Sequence, residues 1–503
     1  MNTHFQILGT ACLLSLLPAC VPMRKDALPS SDPPLPAAYP LAGGAKSSAL
    51  VGWREYFKDP NLTALISTAL SNNQELNILL QEISVSKSEV LGRKGAIFPF
   101  ISFGGGAGLD KAARHTRDGA VEENAANEIK TDKKIPSPLP NFAVGPVFEW
   151  EVDIWRKLRN ERDAAVLRYL ATQEGRNFMV TNIVSEIAQT YYELLALDSQ
   201  MAILKPMIEI QQAALKAVKL QKEAAKVTEL AVKRFEAEVL KNQSHLYEVR
   251  QQVTVTENRL NYLAGRYPQR VRRNSAGFEH RTLSGIHGGL PVELLRNRPD
   301  VRKAELELVA SGLEVKAAAA RFYPSLNMSA ALGLRAFSLD KAFNTPASMA
   351  YEAAAGMMAP LINRSEIKAA YNGASARQIG AIYTYQQTVL KAYIEVVNQL
   401  SQIKNLNQSY ALKSQQVQAL SDSIAIAGQL FTNARAEYTE VLLTQRDALE
   451  SKMELVELKQ QQLNAFVKAY KALGGGYNRT AGGPNGITSM SVPRSAGKLR
   501  ADS

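Results

Sequence analysis

Cysteine is nearly absent from this chain: Cys12 and Cys20 are the only two in 503 residues. That excludes a disulfide framework and a thiolate metal site. No G-x-S-x-G, Walker, H-E-x-x-H or paired-cysteine motif occurs, and the five histidines (His4, His115, His245, His280, His287) are scattered. Neither catalysis nor a bound metal is expected. Gly104-Gly105-Gly106 leads into no helical pattern, so it is not read as a phosphate cradle. Aromatic residues make up only 7%, and the net charge of +12 is spread beside acids along helical stretches. A nucleic-acid partner is not expected, because it would need a concentrated basic patch.

The N-terminal apolar run, Ile7 to Ala19, is too short for the about 20 residues of a membrane helix. It ends in Leu17-Pro18-Ala19-Cys20, which resembles a lipobox, so residues 1–19 read as a signal peptide and Cys20 as the lipidated first residue. The only cofactor expected is this covalent lipid, a palmitate-type acyl group. Acyl chains contribute about 0.8 kcal/mol per buried methylene, enough to hold a multiply acylated Cys20 at a membrane. The proline- and serine-rich residues to 49 then read as a tether.

What is present is repetition. Val227-Thr228-Glu229-Leu230 returns as Tyr438-Thr439-Glu440-Val441, and at the same offset Gly265 falls on Gly476. Ile97-Phe98-Pro99 returns as Phe322-Tyr323-Pro324. The chain therefore divides into a first repeat (50–265), a connector (266–290), a second repeat (291–476) and a Gly/Ser/Arg tail (477–503).

Four segments, about 96–109, 142–155, 322–335 and 348–362, read as strands. Val144, Pro146, Phe148, Trp150, Val152 and Ile154 alternate with positions that include Glu149, Glu151 and Asp153. Such strands exceed the five or six residues usual in soluble sheets and match the about 9–11 of membrane strands. Four strands cannot close a membrane barrel, so a membranous sheet requires oligomerisation; a soluble β-subdomain is the other reading. The remainder is long helix. Phe235, Val239, Asn242, Leu246, Val249, Val253, Thr256, Leu260 and Leu263 follow heptad spacing, as do Arg446, Leu449, Met453, Val456, Gln460, Leu463, Val467 and Tyr470. This is coiled-coil patterning, with Arg446 and Gln460 expected in the seam.

Trp53, Phe57, Asp59-Pro60, Leu62, Leu65-Ile66, Ala69-Leu70 and Asn73 form one block. Leu294-Leu295, Arg298-Pro299-Asp300-Val301 and Ala304-Glu305 form a second, and Thr439-Glu440-Val441-Leu442 with Gln445-Arg446 a third. Together they resemble the TolC-like outer membrane factors of Gram-negative export systems, especially the lipidated, nodulation-type branch linked to multidrug efflux. The resemblance implies a mainly α fold with membrane β: a homotrimer whose four strands per chain close a 12-stranded barrel. That barrel would continue into a periplasmic α-helical barrel. It implies a passive outer membrane conduit for small molecules, fed by an inner-membrane pump of the proton-driven RND type through a periplasmic adaptor (membrane fusion protein). Outer membrane lipids would be further partners. A type I protein-secretion duct is an alternative, and a lipid-anchored periplasmic scaffold or adaptor without a pore is one of another class.

The resemblance also implies a periplasmic gate at the turns 223–230 and 433–442. Its candidate residues are Thr228, Glu229, Tyr438, Thr439, Glu440 and Arg446. Leu443 replaces the acid that the family places before its gating arginine, which leaves Asp447 or Glu440 to partner Arg446. Glu149, Glu151 and Asp153 are candidate lumen acids, since carboxylates ringing an axis attract cations.

Overall fold

The structure, a computed structural model, describes residues 28–30, 35–40, 48–128, 136–282, 288–360, 364–433 and 435–476. The expected signal peptide, Cys20, most of the tether, His4, His287 and the tail lie outside them.

The principal elements run α1 (Pro60–Asn72), α2 (Gln74–Gly95), β1 (Phe100–Asp110), α3 (Arg117–Glu128), β2 (Leu139–Val152), α4 (Lys157–Glu223) and α5 (Glu229–Leu263). The second half follows with α6 (Pro299–Ala320), β3 (Ser325–Ala336), β4 (Met349–Met358), α7 (Ser365–Thr432) and α8 (Tyr438–Ala472). The halves match in length: α2 and α6 have 22 residues each, α4 and α7 have 67 and 68, and α5 and α8 have 35 each. By compactness the chain falls into two units. One joins Leu80–Gln173 and Lys303–Gln387 with the N-terminal residues to Asp32; the other joins Pro33–Leu79, Glu174–Arg302 and Thr388 onward.

The first unit holds one antiparallel sheet in the order β1-β2-β3-β4. Its strands start or stop a few residues away from the expected limits. Phe98 N–H bonds back to Gly95 and Tyr323 N–H to Ala320, so each residue pair before β1 and β3 closes a helix end instead of joining the ladder. The β2–β3 ladder keeps one register on either side of Gly145-Pro146, where Pro146 has no N–H to give. There the backbones meet so closely that a Cβ on Gly145 would lie 2.2 Å from the Leu332 carbonyl oxygen. The register sets Ile101, Phe148, Ala330 and Ala353 in one row and Phe100, Glu149, Ser329 and Ala354 in the next. One face is thus apolar, with Phe103, Trp150, Leu332 and Tyr351. The other carries glycines, Ser102, Asn327 and acids. Both outer strands are exposed along nearly their whole length and each has a free edge within the chain.

The second unit is built from helical hairpins. Asp59 starts α1 by accepting from Asn61 N–H at 2.9 Å, with Pro60 in the first helical position. A core of Phe57, Leu62, Ile66, Ile187, Tyr191, Leu194, Leu260, Val456 and Tyr470 ties the start of the chain to α4, α5 and α8. The connector docks through Arg273, which donates to Asp198 and Glu257, and through Arg281, which pairs with Asp59 at 2.8 Å. Among the described residues no helix is long and apolar enough to cross a membrane.

The repeat register differs from the sequence match. Gly265 (φ +64°) would place a Cβ 2.3 Å from the Asn72 carbonyl oxygen, and Gly474, not Gly476, makes the equivalent approach to the carbonyl of Asn297, 2.4 Å from it. The helix starts agree: Glu229 corresponds to Tyr438, two residues from the pairing of Glu229 with Glu440. Two residues turn an α-helix by about 200°, so the copies are related by opposite faces from those the sequence match selects.

Candidate functional site

The first helical turn ends α4 with a C-terminal motif in which Lys226 N–H bonds to the Gln221 carbonyl and Ala225 takes φ +55°. The second repeats it, with Arg435 N–H on the Leu430 carbonyl. Under the turns, Val218, Ala231, Val232 and Phe235 pack with Phe431, Tyr438 and Leu442, so the two turns of one chain share an apolar plug. Tyr438 is therefore a packing residue at the start of α8. Thr228 precedes α5 in extended conformation with no side-chain cap bond, and Thr439 Oγ1 bonds Glu437 Oε2 at 3.3 Å.

The charged gate candidates have different surroundings. Glu229 is ion-paired to Lys222 across the turn, and that hydrogen bond holds its carboxyl below the usual glutamate range. Glu440 sits exposed in the first turn of α8 without an ion pair among the described residues. Arg446 donates Nη2 to Asp447 Oδ1 at 2.8 Å, a contact between neighbours on one helix. Arg446 is 46% exposed and does not enter the seam; Gln445, 5% exposed, and Ala448 fill it instead. The two-residue register difference explains this: Arg446 corresponds to exposed Ala237 and not to buried Phe235. Of the remaining seam expectations, Asn242 and Thr256 are buried with Val239, Val249, Leu260, Leu449, Val456, Leu463 and Val467, whereas Leu246, Val253, Met453 and Gln460 are only half-buried; Asn242 Nδ2 bonds Gln211 Oε1 at 2.9 Å.

On the sheet, Glu149 and Glu151 share the polar face, with Glu151 bonded to Lys157 at 2.5 Å. Asp153 does not join them: it is buried beyond the end of β2 and accepts from Leu158 N–H and Arg159 N–H at 3.0 and 2.9 Å, capping α4. Its place on the polar face goes to Glu352, opposite Ala331 in β4. Sequence reading missed Glu352 because its strand, rich in Ala and Met, shows little alternation. The polar face therefore carries Glu149, Glu151 and Glu352 above a bare backbone at Gly104, Gly106 and Gly108, where a Cβ would meet nothing within 4 Å.

Residues 65–266 and 290–475 match the family described as outer membrane efflux protein. The chain belongs to that family. It is 26% identical over 468 residues to the pyoverdine export outer membrane protein OpmQ of Pseudomonas putida, covering 93% of this chain and 97% of that one. It is 23% identical over 436 residues to the cation efflux system protein CusC of Escherichia coli, covering 87% and 91%. The open state of the Neisseria gonorrhoeae MtrE outer membrane channel superposes with TM-score 0.78 over 91% of this chain and 98% of that one, at 19% identity. The family member described here is an outer membrane channel for export, with the fold of trimeric barrels that extend into the periplasm as a helical tunnel. Within that fold the free edges of β1 and β4 are where one chain pairs with the next, which answers the closure problem.

Proposed function

We propose that this efflux-family chain is the passive outer membrane duct of a tripartite pump. It carries small molecules delivered by an inner-membrane pump, of the proton-driven RND type, through a periplasmic adaptor. The observation that carries the reading is the pairing of an open-edged sheet, apolar on one face and acidic on the other, with two matched helical hairpins. OpmQ and CusC are named for pyoverdine export and cation efflux, which favours small cargo over a type I protein-secretion role. A conduit of this kind needs no catalytic group. Domain limits of 50–265 and 291–476, separated by the connector, fit this reading.

The gate is assigned to Thr228, Glu229, Tyr438, Thr439, Glu440 and Arg446, with Glu149, Glu151 and Glu352 as lumen acids that favour cations. Glu440→Ala with Arg446→Ala raises bilayer conductance if these residues gate; unchanged conductance and selectivity refute the assignment. Cys20 is assigned the lipid anchor. The Ser30 carbonyl accepts from Gln386 Nε2 at 2.7 Å, about 31 Å along α7 from its membrane-side start at Ser365. Ten residues from Cys20 to Ser30 extend about 33 Å, enough to reach back. Cys20→Ala abolishes labelled palmitate incorporation on this reading.

A further inference from the structure

The two helical turns are alike in backbone and unlike in charge. The first carries Lys216, Lys219, Lys222, Lys226, Lys233 and Arg234 against Glu223 and Glu229. In the register that matches Gly265 with Gly474, the six cations correspond to Ala425, Gly428, Phe431, Arg435, Leu442 and Leu443. Only one cation survives in the second copy, beside Glu437 and Glu440.

The surplus is not consumed inside the chain. Glu229 takes Lys222 and Glu236 takes Lys233, whereas Lys216, Lys219, Lys226 and Arg234 are exposed and have no ion pair among the described residues. Leu220 and Leu230, 57% and 58% exposed, stand among them. The surplus does not continue into the adjoining stretch of α4. Between 186 and 209, α4 carries Glu186, Glu193, Asp198 and Glu209 against Lys205 alone. A cation lining that served passing cargo would continue along the conduit. Like charges gathered at a helix end repel one another, and an acidic partner relieves that repulsion.

We infer that the turn between α4 and α5 is an electrostatic docking face for an acidic, leucine-accepting helical tip of the periplasmic adaptor, and that the α7–α8 turn meets the adaptor through neutral and apolar contacts. This rests on the reading that cargo arrives through an adaptor. It adds that the two turns of one chain are unequal receptors, so the adaptor copies around the trimer alternate between acid-dependent and acid-independent contacts.

The test uses the intact trimer in nanodiscs and the host's purified periplasmic adaptors as probes, with affinity measured at low and high salt. The triple variant Lys216→Glu, Lys219→Glu, Lys226→Glu weakens adaptor binding by at least about 10-fold at low salt, and the gap narrows at high salt as the charges are screened. The control Glu437→Lys, at the second turn, changes binding less than about 3-fold, consistent with a contact that does not depend on acids or bases. An adaptor whose tip acids are replaced by lysine regains affinity for the triple variant. Unchanged thermal melting of the variant trimers separates docking from misfolding, and a variant that melts early is replaced by the three single reversals. Equal loss at both turns, or a loss independent of salt, overturns the inference while leaving wild-type docking and the duct reading intact. Altered ion selectivity with unaltered adaptor affinity also overturns it, by placing the cations in the conduit. A wild-type trimer that conducts but binds no adaptor overturns the inference and the tripartite reading together.

Discussion

Arg298 donates Nη1 to the carbonyl oxygen of Ala472 at 3.0 Å, where the first repeat has Asn73 donating Nδ2 to the carbonyl of Leu263, also at 3.0 Å. Both donors are 4% exposed and both satisfy the last carbonyls of a 35-residue helix. The copies solve one problem with different chemistry. Asn73 also accepts from Leu76 N–H and starts α2, whereas Arg298 pairs with Asp300 and Glu395.

Arg298→Ala leaves two carboxylates and a helix end without their cation, and costs about 3 kcal/mol. Asn73→Ala removes a neutral donor and a cap and costs about 1–2 kcal/mol. Denaturant unfolding of the detergent-solubilised protein ranks the two; a reversed order refutes the view that the buried ion cluster anchors the second repeat.

Gly265→Ala combines a left-handed backbone with a Cβ 2.3 Å from the Asn72 carbonyl oxygen, and costs more than about 1 kcal/mol. Gly104→Ala, in extended backbone with open space, is the comparison and leaves the melting temperature within a degree or two of the parent.

Gly145→Val drives a side chain into the Leu332 backbone at the point where β2 and β3 come together. The expected result is loss of the heat-resistant oligomer on gels run without boiling, with helical circular dichroism retained. An oligomer of normal heat resistance refutes the close approach.

The Lys222–Glu229 bridge gives the first turn a pH dependence. Its carboxyl pKa lies below the ordinary 4.5, so the contribution is complete above that value and is lost as pH falls through the lowered one. Gating events in bilayers stay constant from pH 7 to pH 5 and increase on further acidification. In Glu229→Gln the acid-dependent increase disappears.

Much of the fold was legible in residue order. Ile101, Phe103 and Leu109 alternate with small residues because a strand points successive side chains to opposite faces. Val239, Val249 and Leu260 recur at heptad spacing because one helix face is buried. The site was legible in part. Glu149 and Glu151 lie on the polar face as their alternation suggested, but Asp153, in phase with them, is spent on capping α4 one residue after the pleat stops. Glu352 was hidden in a strand of alanine and methionine, and became visible only when β3 supplied the register.

The sequence by itself determined that the chain is duplicated, that its sheet has one apolar face, and that each half ends in a helical hairpin. Those properties depend on side-chain periodicity, which every residue records locally. Only the tertiary structure decided which residue of one copy corresponds to which of the other, and so that Arg446 stands on the surface beside Asp447 and that Arg435 is the one cation of the second turn that matches a cation of the first. A similar run of four residues can be matched two positions out at no cost on paper. In the packed hairpin the same slip turns the helix by about 200° and would exchange its buried side chains for its solvated ones.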